Sequence, residues 1–156
     1  MSHGYKGKGS LIHILVDGNG YPIAATTTSA SGNERCEVEK LLDRIPAVPK
    51  QKLAGRMIVL EADKGYDCNW LRQVLLIRNI FPLIPYRKMS GRDIPKTEQI
   101  LETFSLKKKR WQVERAISWF KRRCRRLLAR WERTSLIWNG FVSLGLIYMW
   151  IKNLVG

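Results

Sequence analysis

Apolar and polar positions along this chain recur with two different periods, and the switches between them mark its elements. Leu11–Val16 is apolar on both faces, as a strand covered on both sides would be. Asp17-Gly18-Asn19-Gly20 follows as a hairpin turn, because Gly and Asn accept the positive φ it demands, and Tyr21–Thr28 is its β-branched partner strand. Ser31-Gly32-Asn33-Glu34 has the spacing of a capping box, with Ser31 as N-cap and Glu34 reaching back. Behind it Val38, Leu41, Leu42 and Ile45 recur at helical spacing up to Pro46. Met57–Leu60 predicts a buried strand running on to Asp63, with a glycine turn at Gly65. Asp67 is placed to cap a helix to about Asn79 that buries Trp70, Leu71, Val74 and Leu75. Phe81–Tyr86 reads as a further strand, and Pro82 and Pro85 put it at a sheet edge because they remove ladder donors. Ala47–Gly55 and Arg87–Ser105 show no periodicity and read as loops.

From Lys107 to Arg133 neither Pro nor Gly interrupts a helix. Val113, Ile117, Phe120, Cys124, Leu127 and Trp131 form one apolar stripe on it, while Arg115, Arg122, Arg126 and Arg133 fall on another face. Arg110, Glu114 and Lys121 share a narrow row beside the stripe. Leu136–Ile151 is apolar but shorter than the ~20 residues of a membrane span, and Asn139, Ser143 and two glycines break it. It predicts a buried C-terminal helix and no membrane span. The order strand, strand, helix, strand, helix, strand, loop, long helix is an α/β pattern opened by an antiparallel hairpin, expected to form a single domain over 1–156.

Charge adds a partner to this outline. The chain carries 28 Lys and Arg against 13 Asp and Glu, a net +15. Twelve of those cations and two acids, Glu114 and Glu132, lie between Lys107 and Arg133. An excess this one-sided points to a polyanion, with nucleic acid favoured over an anionic membrane surface. Cys36, Cys68 and Cys124 are odd in number and far apart, offer no zinc spacing, and read as reduced, half-buried thiols of a cytoplasmic protein. His13, inside a strand pattern, reads as a satisfied structural residue. The Gly- and Lys-rich lead-in, Ser2–Ser10, lacks the apolar core of a signal peptide.

Two acids are candidates for chemistry. Asp63 ends a strand, where α/β sheets place their ligands, and Glu114 sits on the basic helix. Carboxylate oxygens suit Mg²⁺, and paired ions of that kind serve phosphodiester cleavage.

Six segments then carry a resemblance: Gly4-Tyr5-Lys6-Gly7-Lys8-Gly9, Asp17–Pro22, Ala30–Glu34, Ala62-Asp63-Lys64-Gly65-Tyr66-Asp67, Ile84-Pro85-Tyr86-Arg87 and Arg110-Trp111-Gln112-Val113-Glu114-Arg115. In that order the chain resembles bacterial insertion-sequence transposases of the DDE type. The resemblance implies an RNase H-like mixed sheet with flanking helices, and DNA cleavage and joining with Mg²⁺ or Mn²⁺. It matches Asp63 to the second catalytic Asp and Glu114 to the catalytic Glu, with Arg110 four before it and Lys121 seven after it as phosphate-gripping residues. The signature's Tyr would fall at Lys107 and is absent. The family's first catalytic Asp lies upstream of the Gly-Tyr-Lys-Gly segment, so the fold is expected to be N-terminally truncated and the chain inactive by itself. Asp17 could substitute for it, but reads as a turn residue.

The expected DNA contacts are therefore Arg110, Arg115, Lys121, Arg122, Arg126 and Arg130, and the expected partners are the ends of an element and its target DNA. An upstream-encoded N-terminal segment would complete the fold, a homodimer is a further expectation, and the location would be the nucleoid. A non-catalytic DNA-binding remnant or inhibitor and a membrane-surface protein are the rival readings.

Overall fold

The structure is a computed structural model that describes residues 9–45, 57–87, 106–127 and 134–155. It is a mixed α/β chain of two small sheets with flanking helices, in two compact units. Residues 1–45 and 110–156 make the first, and residues 46–109 the second.

In the first unit β1 (Ser10–Val16) pairs antiparallel with β2 (Pro22–Ser29), from Ser10 opposite Ser29 to Leu15 opposite Ala24. The register shifts at Val16, where the ladder meets the turn. Asp17 is the turn residue its context suggests: Oδ1 accepts the N–H groups of Asn19 and Tyr21 at 2.9 and 2.8 Å. Both faces of β1 were expected to be covered, but only His13 on it is buried, its Nε2 2.8 Å from the Thr28 hydroxyl. The better-covered strand is β2, with Pro22, Ala24, Ala25 and Thr26 buried.

Helix α1 (Glu34–Asp43) packs on that hairpin. Its cap is Asn33 and not Ser31: the Asn33 side chain accepts the Arg35 N–H at 3.1 Å, and Glu34 is already helical. Val38 and Leu41 are buried, Leu42 and Ile45 half-buried. Arg44 at the far end donates to the Ala25 carbonyl at 2.6 Å.

Helix α3 (Leu106–Arg123) ends ten residues earlier than its lack of Pro and Gly suggested, giving way to a single 3₁₀ turn at Arg125–Leu127. Of the stripe, Phe120 and Leu127 are buried, with Ala116 joining them, while Ile117 and Cys124 are half-buried and Val113 is largely exposed. Trp131 lies outside the described residues. Helix α4 (Ser135–Val155) crosses α3 at Gly145, where a Cβ would meet the Phe120 ring at 3.0 Å. Trp138, Val142, Gly145 and Met149 turn inward and close the core with Ala25, Phe120 and Leu127. Asn139 accepts the Thr27 hydroxyl, and the Trp150 indole donates to the Pro22 carbonyl at 2.7 Å. The expectation of a buried C-terminal helix is thus half met. Leu136, Ile137, Leu144, Ile147, Ile151 and Leu154 are exposed, because the core lies against a single side of the helix. No described helix is long and apolar enough to cross a membrane.

The second unit is a β-α-β: β3 (Ile58–Glu61), a 3₁₀ turn at Lys64–Tyr66, α2 (Asn69–Ile77) and β4 (Ile80–Leu83), parallel to β3 with Ile58 opposite Ile80. Asn79, at φ +58°, stops α2 and reverses the chain into β4. Leu71, Arg72 and Leu75 are the buried side of α2, while Trp70 is exposed and Val74 half-buried. β3 is not the buried strand expected, since Ile58 and Val59 face out. Asp67 is not a cap either. Cys68 holds that position without a side-chain bond, and Asp67 turns inward to Arg72.

Candidate functional site

Asp63 follows the C-terminal end of β3 by two residues and is exposed. Its Oδ1 accepts the Lys64 N–H at 2.7 Å and so caps the 3₁₀ turn that follows. That turn is clamped from behind. Asp67, fully buried, takes the Arg72 guanidinium on Oδ1 at 3.1 and 3.2 Å and the Arg87 backbone N–H on Oδ2 at 2.8 Å. The Arg72 guanidinium also stacks 3.7 Å from the Tyr86 ring centre and donates to the Ile84 carbonyl. Arg87 closes the loop by donating to the Lys64 and Gly65 carbonyls at 3.0 and 3.3 Å. So Ala62–Asp67 and Ile84–Arg87, twenty residues apart, form one scaffold under Asp63. Sequence reading named both segments but missed Asp67, Arg72 and Arg87 as its joints.

Glu114 is exposed on α3, in the first unit. Its helix is fixed to the hairpin tip. Gln112 Nε2 donates to the Gly18 carbonyl at 3.0 Å, and Arg115 Nη2 donates to the Asn19 carbonyl at 2.7 Å. Gly20, at φ +87°, lies against them: a Cβ there would stand 2.8 Å from Arg115 Nη2 and 3.2 Å from Gln112 Cβ. Arg115 is also sandwiched by aromatic rings, 4.3 Å from the Trp111 ring centre and 4.8 Å from that of Trp119. Aligning the hairpin tip with the helix residues either side of Glu114 is therefore a backbone and side-chain matter together.

Further along α3, Lys121, Arg122 and Arg123 are exposed, and so is Arg125 just beyond. Arg122 donates to the Ser118 hydroxyl one turn back at 2.9 Å, and Arg123 lies 6.0 Å from the Trp119 ring centre. The backbones of Arg110 and Arg126 are in α3 and the 3₁₀ turn; their side chains, and all of Arg130, lie outside the described residues. Among the described residues no three His, Cys, Asp or Glu gather as a metal cluster. Burial pushes the Cys124 thiol up, which disfavours the nucleophilic thiolate.

Comparison with known proteins gives this geometry a context. The family model described as the transposase DDE domain matches residues 1–150. A Burkholderia cepacia protein whose name ties it to the transposase of insertion sequence element IS402 is 36% identical over 141 residues, covering 88% of this chain and 60% of that protein. The chain thus spans about three fifths of that relative's length. No solved structure matches it.

Proposed function

Because the chain belongs to the DDE transposases of bacterial insertion sequences, we propose that it is the part of a transposase that holds DNA and two of the metal-binding carboxylates for strand cleavage and transfer. The observation that carries this reading is that each candidate acid is braced, within its own unit, by a second family-like segment. The Asp63 loop is braced by the Ile84–Arg87 segment, and the Glu114 helix is braced by the Asp17–Gly20 hairpin. Each carboxylate is exposed on a rigid support, as a site for a hard cation and a phosphate requires. In this reading both sheets belong to an RNase H-like core, and an upstream-encoded segment brings a further strand and the third carboxylate.

Asp63 and Glu114 would hold Mg²⁺ or Mn²⁺, whose chemistry is to lower the pKa of water and offset charge on a leaving oxygen. Arg110 and Lys121, flanking Glu114 on α3, grip the phosphates around the scissile bond. Arg115, Arg122, Arg126 and Arg130 follow the backbone of element ends and target, with Arg115 pre-oriented by Asn19 and two indoles. The first step is hydrolysis: a water oxygen bonds the phosphorus and the 3′ oxygen leaves with a proton. In the second, that 3′ hydroxyl attacks a target phosphodiester and expels its 3′ oxygen.

The test uses this chain co-expressed with the upstream-encoded segment, on DNA carrying an element end. Mg²⁺-dependent nicking is expected, lost in Asp63→Asn and Glu114→Gln while DNA binding persists. The quadruple Ala variant at Arg115, Arg122, Arg126 and Arg130 should lower the slope of log affinity against log salt by about one unit per lost phosphate contact. Binding without nicking under every divalent metal would favour the non-catalytic remnant, and an unchanged salt slope would remove α3 as the DNA surface.

A further inference from the structure

The end of α3 that carries Glu114 has little core to hold it. Among the described residues of the helix Ala116 and Phe120 are buried, and both follow Glu114, while Trp111 and Val113 before it are exposed. Two polar contacts take the place of that packing. Gln112 Nε2 donates to the Gly18 carbonyl at 3.0 Å, and Arg115 Nη2 donates to the Asn19 carbonyl at 2.7 Å. The two donors are three residues apart and so share one side of the helix, and the carbonyls they grip are consecutive in the hairpin tip. We propose that Gln112 is a positioning residue, which together with the hairpin tip sets the rotation of α3 about its axis and thereby the place of the Glu114 carboxylate. This role rests on the reading of Glu114 as a metal ligand.

Magnitudes show why rotation matters. Glu114 lies about 100° round the helix from Arg115 and about 160° from Gln112. Its carboxylate stands ~6 Å from the helix axis, so a turn of about 5° moves it by about 0.5 Å. That is about the tolerance of a preorganised site, which is held to within roughly 0.5 Å. Apolar packing is non-directional and does not hold a helix to so small an angle, whereas hydrogen bonds to two successive carbonyls are directional. The tip itself has one way to sit. A Cβ at Gly20 would stand 3.2 Å from Gln112 Cβ and 2.8 Å from Arg115 Nη2, so the tip backbone lies directly on both residues. The two donors differ as probes. Arg115 is cationic and stacked between Trp111 and Trp119, so its loss would mix DNA grip with position. Gln112 is uncharged, and its amide nitrogen is engaged by Gly18.

The test uses this chain with the upstream-encoded segment and reads metal in two ways. Gln112→Met keeps the length of the side chain and removes its donor. In Mn²⁺-dependent nicking of an element end it should raise the half-saturating Mn²⁺ by at least about tenfold, with DNA affinity unchanged. Terbium luminescence excited through tryptophan needs no catalysis, and Trp111 lies one turn before Glu114. Gln112→Met should raise the half-saturating terbium by a similar factor, and Glu114→Gln by at least as much. Gly20→Ala, which pushes on Gln112 and Arg115 from the tip, should shift both constants in the same direction. Unchanged half-saturation for both metals in Gln112→Met, whatever its maximal rate, overturns the proposal, because a loss of folded protein lowers the rate alone. Weaker DNA binding that accounts for the whole loss overturns it as well. A wild-type chain that shows no metal dependence in either measurement, or that matches Glu114→Gln in both, removes Glu114 as a ligand and the positioning role with it.

Discussion

The carboxylate of Asp67 joins three segments: it receives Arg72 from α2, the Arg87 N–H from the strand exit, and through Arg87 it holds the turn after Asp63. Its removal leaves the Arg72 guanidinium buried without its counter-ion. Asp67→Ala is expected to cost about 3–5 kcal/mol in urea unfolding, and Arg87→Ala less, since Arg87 is exposed. The joint could not be read locally, because an acid two residues before a helix looks like a cap and Arg87, which ties it to the second segment, is twenty positions on. Asp17, by contrast, was legible, since its partners Asn19 and Tyr21 are within the turn itself. His13 supplies a pH dependence. Burial holds its imidazole below the usual 6.5, so the unfolded chain takes up the proton first as pH falls. That contribution to stability is complete above the unfolded value and declines as pH drops below it towards the lowered folded value. Burial alone would raise Glu37, but Lys40 at 2.6 Å, the Thr26 hydroxyl and the charge of His13 together outweigh it and hold the carboxyl below its usual 4.5. Its contribution has the same sign at lower pH. Urea midpoints measured from about pH 8 to about pH 2 should fall in two stages, and His13→Gln should abolish the upper one.

Between elements, the hairpin tip and α3 meet with no room to spare. Gly20→Ala forces a side chain into a positive-φ site and against Arg115, which the two tryptophans keep from yielding. The expected loss is about 1–3 kcal/mol, and the double variant with Arg115→Ala should recover part of it in a cycle read by urea unfolding. Which elements exist was largely legible. An apolar run, a β-branched run and turn chemistry placed β1, β2 and their turn, and helical spacing placed α1, α2 and α3. Faces and ends were not. Ser31 and Asn33 are both capping residue types, and local pattern cannot choose between them. Ile58 and Val59 are apolar as core residues are, yet exposed, because apolarity records what a strand is suited to meet and not whether it has met it.

At the scale of the whole molecule, the two sheets have two strands each, so β1 and β3 each present an edge without a ladder partner among the described residues. Unpaired backbone groups that are buried would cost about 1–3 kcal/mol each. With Ile58 and Val59 exposed and most of β1 half-buried, the cost falls instead on exposed apolar area and on protection from exchange. A further segment that adds a strand to each sheet would complete the two ladders. Expressed by itself, the chain is therefore expected to exchange amide hydrogens quickly on the edge of Ile58–Leu60 that faces away from β4 and on the edge of Leu11–Val16 that faces away from β2, and to bind an apolar dye. With the segment present, both strands should gain protection in parallel, dye binding should fall, and Mg²⁺-dependent nicking should appear in the same preparation. Strong protection of both strands in the chain alone, together with nicking, would mean that the edges are already satisfied. Asp17 or Glu61 would then be the acid to replace next.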